Sequence, residues 1–242
     1  MTDEDLAARL AEQAGKLLLE LRESAFLEGM ALGLVGDQVA NAMILAALRQ
    51  WRPGDAILSE ESCDDRSRLG SDRVWIIDPL DGTREYGEGR PDWAVHVALA
   101  IGGRPRVGAV SVPALGRLFR SDGEAVREQE ERRRPLMLVS RTRPPELAAE
   151  LADWLGADLA EMGSAGAKAM AVVAGEADLY VHAGGQHEWD NCAPAAVALG
   201  LGFHASRIDG APLRYNRADT LVPDIVIARA DLAPRILHFT QR

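Results

Sequence analysis

The stretch "WIIDPLDGTREY", residues 75–86, takes the chain directly from an apolar run into a turn that holds two aspartates, a glycine and a threonine. A short apolar run bounded by turn residues is typical of a buried strand, so the pattern predicts a strand that ends near Asp78. Asp78, Asp81 and Thr83 then leave the end of that strand, where a rigid base fixes the direction of each side chain. We therefore expect both carboxylates to face one small volume.

Two carboxylates held close together repel each other, and the repulsion raises the pKa of one of them unless a cation lies between them. Oxygen ligands of this kind favour Mg²⁺, Mn²⁺ or Ca²⁺ over zinc. Gly82 lets the backbone approach a ligand closely, and a helix that begins at Thr83 would direct free N–H groups towards an anion. The same residues also fit a plain turn after a strand, so this segment alone leaves both interpretations open.

Two further acidic segments follow predicted strands. "LSEES" places Glu60 and Glu61 at the end of the preceding strand, and "EWDNCA" places Asp190 between a predicted strand and a predicted helix. Each one alone is typical of a solvated charge or a helix cap. Carboxylates at three separate strand ends favour one site assembled from distant segments.

Composition excludes several classes of function. The net charge of −10 argues against a nucleic-acid polymer as partner, because polymer binding depends on neutralising many phosphates. We find no apolar run that approaches the roughly 18 residues of a membrane span, and the acidic N-terminus does not resemble a signal peptide. The sequence therefore predicts no membrane partner and a cytoplasmic location. P-loop, HExxH and EF-hand patterns are absent.

Cysteine and histidine give no metal-ligand spacing. Cys63 and Cys192 are predicted to be small packing residues. The five histidines are predicted to have core or surface roles, with His182 kept open as a functional candidate.

The order of predicted elements indicates two subdomains, residues 1–122 and 134–242, with the active site between them. The charged stretch "GEAVREQEERRRP", residues 123–135, is the predicted linker. The first part contains a capped helix after Thr2, a helix over Asp37 to Trp51, the strands "AILSEE" and "VWIIDP", and hairpins in "WAVHVALAIGG" and "VGAVSVPALGRLFRSDG". The second part alternates in a layered α/β pattern: strand "LMLVS", helices "PELAAELADWL" and "AGAKAMAVVAG", strand "ADLYVH", helix "CAPAAVALGLG", strands "FHASRI" and "DIVIA", and a final short helix.

The segments "SEES", "WIIDPLDGT" and "EWDNCAPAA" resemble, in the same order, the acidic, DPxDGT and WDxxA motifs of the inositol monophosphatase superfamily. The resemblance covers most of the chain and implies an α/β (α+β) fold, a layered αβαβα sandwich of the inositol monophosphatase and sugar phosphatase type. "DPLDGTREY", "GSAGAKAM" and "ADLYVH" look most like the CysQ type within it, the 3′(2′),5′-bisphosphate nucleotidases.

The resemblance implies a ligand set and a catalytic set. Up to three Mg²⁺ ions, with Mn²⁺ as an alternative, would be held by Glu60, Asp78, the backbone carbonyl of Leu80, Asp81 and Asp190. The implied catalytic residues are Glu60, through its metal, and Thr83 and Asp37, which would orient the attacking water. Asp37 stands where the family has a helix-start aspartate, although the threonine-containing lead-in is missing. The backbone N–H groups of Gly82 and Thr83 would receive the phosphate.

The implied substrate-binding residues are Ser164, Lys168 and His182. Ser164 and Lys168 match the family's GSSLK-like segment with one extra residue between them, and His182 stands where these nucleotidases often carry arginine. The alternative is that Ser164 is a helix N-cap and Lys168 a solvated helix residue.

The resemblance implies a Mg²⁺-dependent phosphomonoesterase, sensitive to lithium, that removes the 3′-phosphate of 3′-phosphoadenosine 5′-phosphate to give AMP. The 5′-phosphosulfate analogue is a second substrate it suggests, in sulfur assimilation. The partner would be a small nucleotide bisphosphate, and homodimers are common in the superfamily. The alternatives are an inositol or fructose bisphosphate phosphatase, an inactive metal-dependent nucleotide sensor, and a structural domain with an acidic surface.

Overall fold

The computed structural model describes residues 1–124 and 133–240, and within them the chain forms seven α-helices and ten strands. The helices are α1 (Asp3–Glu23), α2 (Gly29–Trp51), α3 (Thr83–Gly87), α4 (Leu147–Leu155), α5 (Ala165–Val173), α6 (Glu188–Gly200) and α7 (Ala233–Thr240). The strands are β1 (Ala56–Ser59), β2 (Arg73–Asp81), β3 (Ala94–Ile101), β4 (Arg104–Val112), β5 (Arg117–Arg120), β6 (Leu136–Ser140), β7 (Asp158–Met162), β8 (Leu179–His187), β9 (His204–Ser206) and β10 (Leu221–Ala228).

The strands form two five-stranded mixed sheets, in the order β1-β2-β3-β4-β5 and β7-β6-β8-β10-β9. Strand β1 runs parallel to β2, and the remaining pairs of the first sheet are antiparallel. The hairpin predicted at Gly102 and Gly103 joins β3 to β4. In the second sheet β6 is parallel to both of its neighbours, and β10 is antiparallel to both of its own.

Helices and sheets alternate in five layers. Strand β2 shows why: Trp75 and Ile77 pack against α1 and α2, whereas Val74 and Ile76 belong to the core shared with α5 and α6. Because successive strand residues point to opposite faces, an apolar run such as this one can bury both. Helices α4 and α7 cover the outer face of the second sheet. The αβαβα sandwich expected from the sequence is confirmed.

The middle layer joins the two halves of the chain. Helix α6, which comes from the second half, packs against β2, β3 and β4 of the first sheet and against strands of the second sheet. Residues 125–132 of the predicted linker lie outside the described residues. The division into subdomains 1–122 and 134–242 stays a prediction.

Two helices begin earlier than the sequence predicts. Helix α2 starts at Gly29 rather than Asp37. The sequence does not signal this start, because Glu28 provides no side-chain cap and the glycines of the first turns have low helix propensity. Asp37 therefore lies inside a helix. Helix α6 starts at Glu188 rather than Cys192, and its N-cap is His187, a residue type that does not mark a helix start.

One strand and one cysteine were predicted wrongly. Strand β7, "DLAEM", was missed, since it is a largely exposed edge strand without the apolar, β-branched composition of a core strand. Cys192 is buried as expected, but Cys63 is exposed in the segment after β1 and has no packing role.

Helix α2 contradicts the expectation that no segment of the chain approaches the length and apolar character of a membrane span. By length and composition alone, α2 is apolar enough to cross a membrane. In the fold, Leu32, Ile44 and Leu48 are buried against α1 and the first sheet. A core helix passes the same test, so this property of α2 is weak support for a membrane location.

Candidate active site

The site is built on the turn that ends β2. The ladder between β2 and β3 is regular up to the pair Asp78 and His96, and the register then shifts before Asp81. The Leu80 N–H donates to Asp78 Oδ1 at 3.1 Å, which fixes the turn. Gly82 has φ +89°, in the left-handed region that favours glycine, and caps α3, which begins at Thr83 as the sequence predicts.

Helix α6 brings a third carboxylate to this turn. Carboxylate oxygens of Asp78, Asp81 and Asp190 all lie within 4.8 Å of one another. Asp190 occupies the first turn of α6, where its Oδ2 accepts the N–H of His187 at 2.5 Å. The structure therefore brings together two of the three acidic segments, although more than 100 residues separate them.

Burial and mutual repulsion shift the pKa values of this cluster. Burial, together with the charges of Glu60 and Asp81, raises the pKa of Asp78 well above its usual range. Burial followed by the charge of Asp81 raises the pKa of Asp190 to about 7. For Asp81 burial is outweighed by partners, chiefly His96 and Ser164, which lower its pKa to about 2. Such a cluster of acids is stabilised by positive charge.

Asp81 is held by hydrogen bonds from two groups, and a third group, His96, lies beside it; sequence analysis missed His96 and Gly166. Ser164 Oγ and the Gly166 N–H donate to Asp81 Oδ2 at 2.5 and 2.7 Å, and His96 Nε2 lies 3.3 Å from the same oxygen. A Cβ at Gly166 would lie 1.9 Å from His96 Nε2, so only glycine fits there. The available signal was a single histidine in the apolar strand "WAVHVALA", paired in register with Asp78.

Glu60 lies at the margin of the cluster. Its N–H donates to the Ile77 carbonyl at 3.2 Å, which places it after β1 as predicted, and its side chain is exposed. The carboxylates of Glu60 and Glu61 lie outside the group of three described within 4.8 Å. Desolvation, and then the charges of Asp190 and Asp37, raise the pKa of Glu60 to about 8. Glu60 lines a second cavity, with Ser59 and Trp189, rather than the one that Asp81 and Asp190 line.

Thr83 connects the turn to α2. Its Oγ1 lies 3.0 Å from both Asp37 Oδ2 and the Leu80 carbonyl oxygen. A Cβ at Gly33 would lie 2.6 Å from the Thr83 methyl group, so glycine allows α2 to approach. Burial raises the pKa of Asp37 to about 7, although the hydrogen bond from Thr83 opposes the shift. The second oxygen of Asp37, Oδ1, is buried and has no partner among the described residues.

A buried network that sequence analysis missed holds the start of α6. The Glu188 carboxylate accepts the N–H groups of Asn216 and Arg217 at 2.7 and 2.8 Å. Arg68, 1% exposed, bonds to Asp64, Asn216 and the Arg217 carbonyl. These contacts tie the segment after β1 and the segment before β10 to the helix that carries Asp190.

A cavity of about 550 Å³ opens from the carboxylate cluster towards the second sheet. Asp81, Thr83 and Asp190 line its carboxylate end. Positively charged side chains line much of the remainder: Arg84, Arg141, Arg143 and Lys168. A polyanion with one phosphate at the carboxylates would meet positive charge along its length.

The three predicted substrate-binding residues all line this cavity. Ser164 caps α5 by accepting the Ala167 N–H at 2.9 Å, as the alternative interpretation holds, and it also bonds to Asp81. Lys168 is not a solvated helix residue, because its side chain is buried at 4% exposure. Its ammonium group donates to the carbonyls of residues 162, 163 and 164, and burial lowers its pKa to about 8. His182 is buried on β8.

Comparison with known proteins gives a consistent result. Residues 6–240 match the model of the inositol monophosphatase family. The chain is 51% identical, over 98% of its length and 93% of the relative's, to a 3′-phosphoadenosine 5′-phosphate phosphatase of Mycobacterium leprae. It is 29% identical to the 3′(2′),5′-bisphosphate nucleotidase CysQ of Escherichia coli K12, over 77% of this chain and 80% of that one. The crystal structure of CysQ from Bacteroides thetaiotaomicron, 26% identical, superposes with a TM-score of 0.80 over 94% of this chain and 97% of the other.

Proposed function

Because the chain belongs to the inositol monophosphatase family, we propose that it is a metal-dependent phosphatase that hydrolyses the 3′-phosphate of 3′-phosphoadenosine 5′-phosphate to AMP and phosphate. The observation that carries the proposal is the cavity, which joins the carboxylate cluster and the Thr83–Asp37 pair to a lining rich in positive charge. The relatives of that name, 51% identical over nearly the whole chain, support this substrate over others in the family. The 5′-phosphosulfate analogue carries the same 3′-phosphate and is the second substrate we propose.

The carboxylates fit divalent cations. Asp78, Asp81 and Asp190 offer hard oxygen atoms, and the raised pKa values of Asp78 and Asp190 reflect a need for positive charge. The Leu80 carbonyl and Glu60 would complete the set, with two or three Mg²⁺ ions and Mn²⁺ as the alternative. When bound, such ions lower the pKa of a bound water molecule, and their positive charge offsets the negative charge of the phosphate.

Thr83 and Asp37 are arranged to orient that water molecule. The Leu80 carbonyl can only accept a hydrogen bond, so the Thr83 hydroxyl donates either to Leu80 or to Asp37. If Leu80 is engaged as a ligand, Thr83 donates to Asp37, and the lone pairs of its hydroxyl are left to accept a hydrogen bond from water. Asp37, with a pKa of about 7, is suited to receive a proton near neutral pH.

Gly82 and Thr83 would hold the scissile phosphate. The first N–H groups of a helix have no partner within it, and those at the start of α3 lie beside Asp81. Arg84 follows on the same helix and adds positive charge at this end of the cavity. The proposed roles are then complete: ligands from three segments, a water-orienting pair, and donors for the phosphate oxygens.

One assay tests the proposed activity and the alternatives that the sequence left open. Phosphate release is measured from 3′-phosphoadenosine 5′-phosphate, inositol 1-phosphate and fructose 1,6-bisphosphate, with Mg²⁺ and with EDTA. We expect the nucleotide to be preferred by a wide margin and EDTA to abolish release. Preference for inositol or sugar phosphate would overturn the substrate assignment, and no release at all would favour the nucleotide sensor.

Three further expectations remain predictions. Lithium should inhibit phosphate release, a property that the resemblance alone suggests. A homodimer and a cytoplasmic location are expected on the same basis. Light scattering of the purified protein would measure the oligomeric state, and a lithium titration of the Mg²⁺-dependent rate would measure the inhibition.

A further inference from the structure

The proposed substrate carries two phosphate groups, and the carboxylate cluster with its cations accounts for only one. The group that does not react also needs a partner, because a phosphate that leaves water for a protein cavity loses hydration that only cations and N–H donors replace. Four cationic side chains line the described cavity: Arg84, Arg141, Arg143 and Lys168. Their existing bonds decide which of them is available.

Lys168 and Arg141 are already engaged. The ammonium group of Lys168 has three N–H donors and three carbonyl acceptors, at 3.3, 3.0 and 2.5 Å. Arg141 Nη2 lies 2.8 Å from Glu85 Oε1 and 3.0 Å from Glu88 Oε2, so two carboxylates offset its charge. Lys168 cannot turn to an anion without breaking these bonds. The Nε of Arg141 is buried and has no partner in the described part of the chain, but two carboxylates already offset the charge that Arg141 could offer to an anion.

His182 is also excluded as a partner for a phosphate. Its Nε2 lies 3.1 Å from the Gly184 carbonyl oxygen, which can only accept, so Nε2 carries the proton in the neutral ring. Nδ1 is then a lone pair, buried and without a partner in the described part of the chain. Burial, and then the charge of Lys168, lowers the pKa of His182, which keeps the ring neutral at pH 7. A lone pair repels an anion and attracts a donor.

Arg84 and Arg143 remain. No described residue forms an ion pair or side-chain hydrogen bond with either guanidinium group, and both side chains are exposed to the cavity. Arg84 adjoins Thr83 on α3, at the end where the reacting phosphate would lie. Arg143 Nη1 instead lies 3.7 Å from the place where a Cβ of Gly185 would stand, beside β8. Gly185 has φ +88° and leaves the space in front of this guanidinium open.

From this arrangement we infer that Arg143 binds the non-reacting 5′-phosphate of the substrate and so determines the preference for a bisphosphate over a monophosphate. The inference rests on the proposed function and assigns a specificity residue within it. The planar guanidinium group suits a phosphate because two parallel N–H donors can bond to two oxygens. The 5′-phosphate would supply the partner that Arg143 does not find among the residues that the structure describes.

The test compares two substrates that differ only in the 5′-phosphate, 3′-phosphoadenosine 5′-phosphate and 3′-AMP. In Arg143→Gln we expect the ratio of kcat/KM for the bisphosphate to that for 3′-AMP to fall by about 10- to 100-fold, mainly through KM, since a hydrogen bond to a charged group is worth about 1.5–3 kcal/mol. Arg143→Lys should restore part of the ratio, because it keeps the charge and loses the paired donors. Arg106→Gln, an exposed arginine outside the cavity, should leave the ratio unchanged.

Three results would overturn the inference: an unchanged ratio in Arg143→Gln, equal losses on both substrates, or a fall in the ratio in Arg84→Gln instead. Calorimetry provides a readout that does not need turnover. Arg143→Gln should weaken binding of AMP, which keeps the 5′-phosphate, more than binding of adenosine. Because wild-type protein that fails to hydrolyse the bisphosphate would contradict the proposed function alone, the AMP and adenosine affinities still decide the role of Arg143.

Discussion

The two ends of the cavity are held in place in different ways. At the carboxylate end, Asp81 accepts hydrogen bonds from Ser164 and Gly166, and Asp190 accepts one from the N–H of His187, the N-cap of α6. At the cation end, beside Gly185 of β8, the guanidinium group of Arg143 has no ion pair or hydrogen bond with any residue that the structure describes. The carboxylate end is therefore ordered before a ligand arrives, whereas the guanidinium group of Arg143 at the cation end is left to be ordered by the ligand.

This difference separates reaction type from substrate choice. Groups that stabilise a transition state act best when they are already oriented, since no free energy is then spent on moving them during the reaction. Groups that recognise a distant part of the substrate tolerate mobility, because their ordering cost lowers affinity without changing the chemistry. We expect substitutions at the carboxylate end to change kcat and those at the cation end to change KM.

The largest effect is expected from Asp81→Asn, which removes a charge from the ordered end while keeping the side-chain shape. The amide oxygen can still accept from Ser164, but the site loses one of three clustered carboxylates. We expect kcat to fall by about 10³-fold or more, the scale of losing one electrostatic group in a water-excluded site. Phosphate release under saturating Mg²⁺ measures it.

Asp209→Asn is the matched control for this substitution. Asp209 is an exposed turn aspartate that accepts the Ala211 N–H at 2.8 Å and lies away from the cavity. Full activity in the control with a fall of less than tenfold in Asp81→Asn would show that the two ends do not differ as described.

A smaller loss is expected at Thr83. Thr83→Ala removes the hydroxyl that contacts both Asp37 and the Leu80 carbonyl, and kcat should fall by about 10²-fold, towards the lower end of the range for groups that assist proton transfer. Thr83→Ser keeps the hydroxyl and should recover most of the rate. If serine were as poor as alanine, the methyl group against Gly33 rather than the hydroxyl would be the important part.

The residues of the carboxylate end could be predicted from the sequence, and the residues that support them could not. Asp78, Asp81 and Thr83 lie in one segment of consecutive residues, where strand periodicity and turn chemistry already fix their directions. His96 and Gly166 contact Asp81 only because β3 and α5 pack beside it; the lone histidine of an apolar strand marks His96 as unusual, but it does not identify Asp81 as its neighbour. Sequence pattern specifies local direction, whereas tertiary packing specifies these partners.

The cation end was predicted only in part, for a related reason. Lys168 was identified by resemblance, but its burial and three carbonyl partners follow from the way the chain turns before α5. Across the whole chain, 25 of the 27 Lys and Arg residues are arginine. Composition therefore does not distinguish Arg143 from the other arginines. Asp37 was misplaced because glycines at the start of α2 hide the helix.

The third prediction concerns stability, because the carboxylate end holds several acids with raised pKa values. Between about pH 5 and 7 the folded metal-free protein holds protons on Asp37, Asp78 and Asp190 that the unfolded chain has released. The free energy of unfolding therefore falls as pH rises through this range. Mg²⁺ should offset the loss, by about 2.7 kcal/mol at 100 times its dissociation constant, and its effect on Tm should grow with pH.

Two histidines change the pH dependence of stability in the opposite direction, so the test must remove an acid and leave both histidines in place. Burial lowers the pKa of His182 and His204, so their contribution to stability rises with pH through the same range. Asp190→Asn removes one raised acid and leaves both histidines, and it should flatten the fall in Tm from pH 5.5 to pH 7.5 without Mg²⁺. A fall as steep as that of the wild type would show that Asp190 binds no extra proton in the folded state.

The smallest effect tests Ser164, the residue at which the two ends meet. Ser164 caps α5 while holding φ at +47°, a value that side chains rarely adopt and glycine accepts. Both Ser164→Ala and Ser164→Gly lose the bond to Asp81, but alanine also costs about 1 kcal/mol as a cap, which corresponds to about 2–4 °C in Tm for a chain of this size, whereas glycine costs a few tenths. We therefore expect glycine to retain the higher Tm while both variants lose the same activity. A glycine variant less stable than alanine would show that the backbone at Ser164 carries no strain. The order of the carboxylate end would then come from the hydrogen bonds to Asp81 alone.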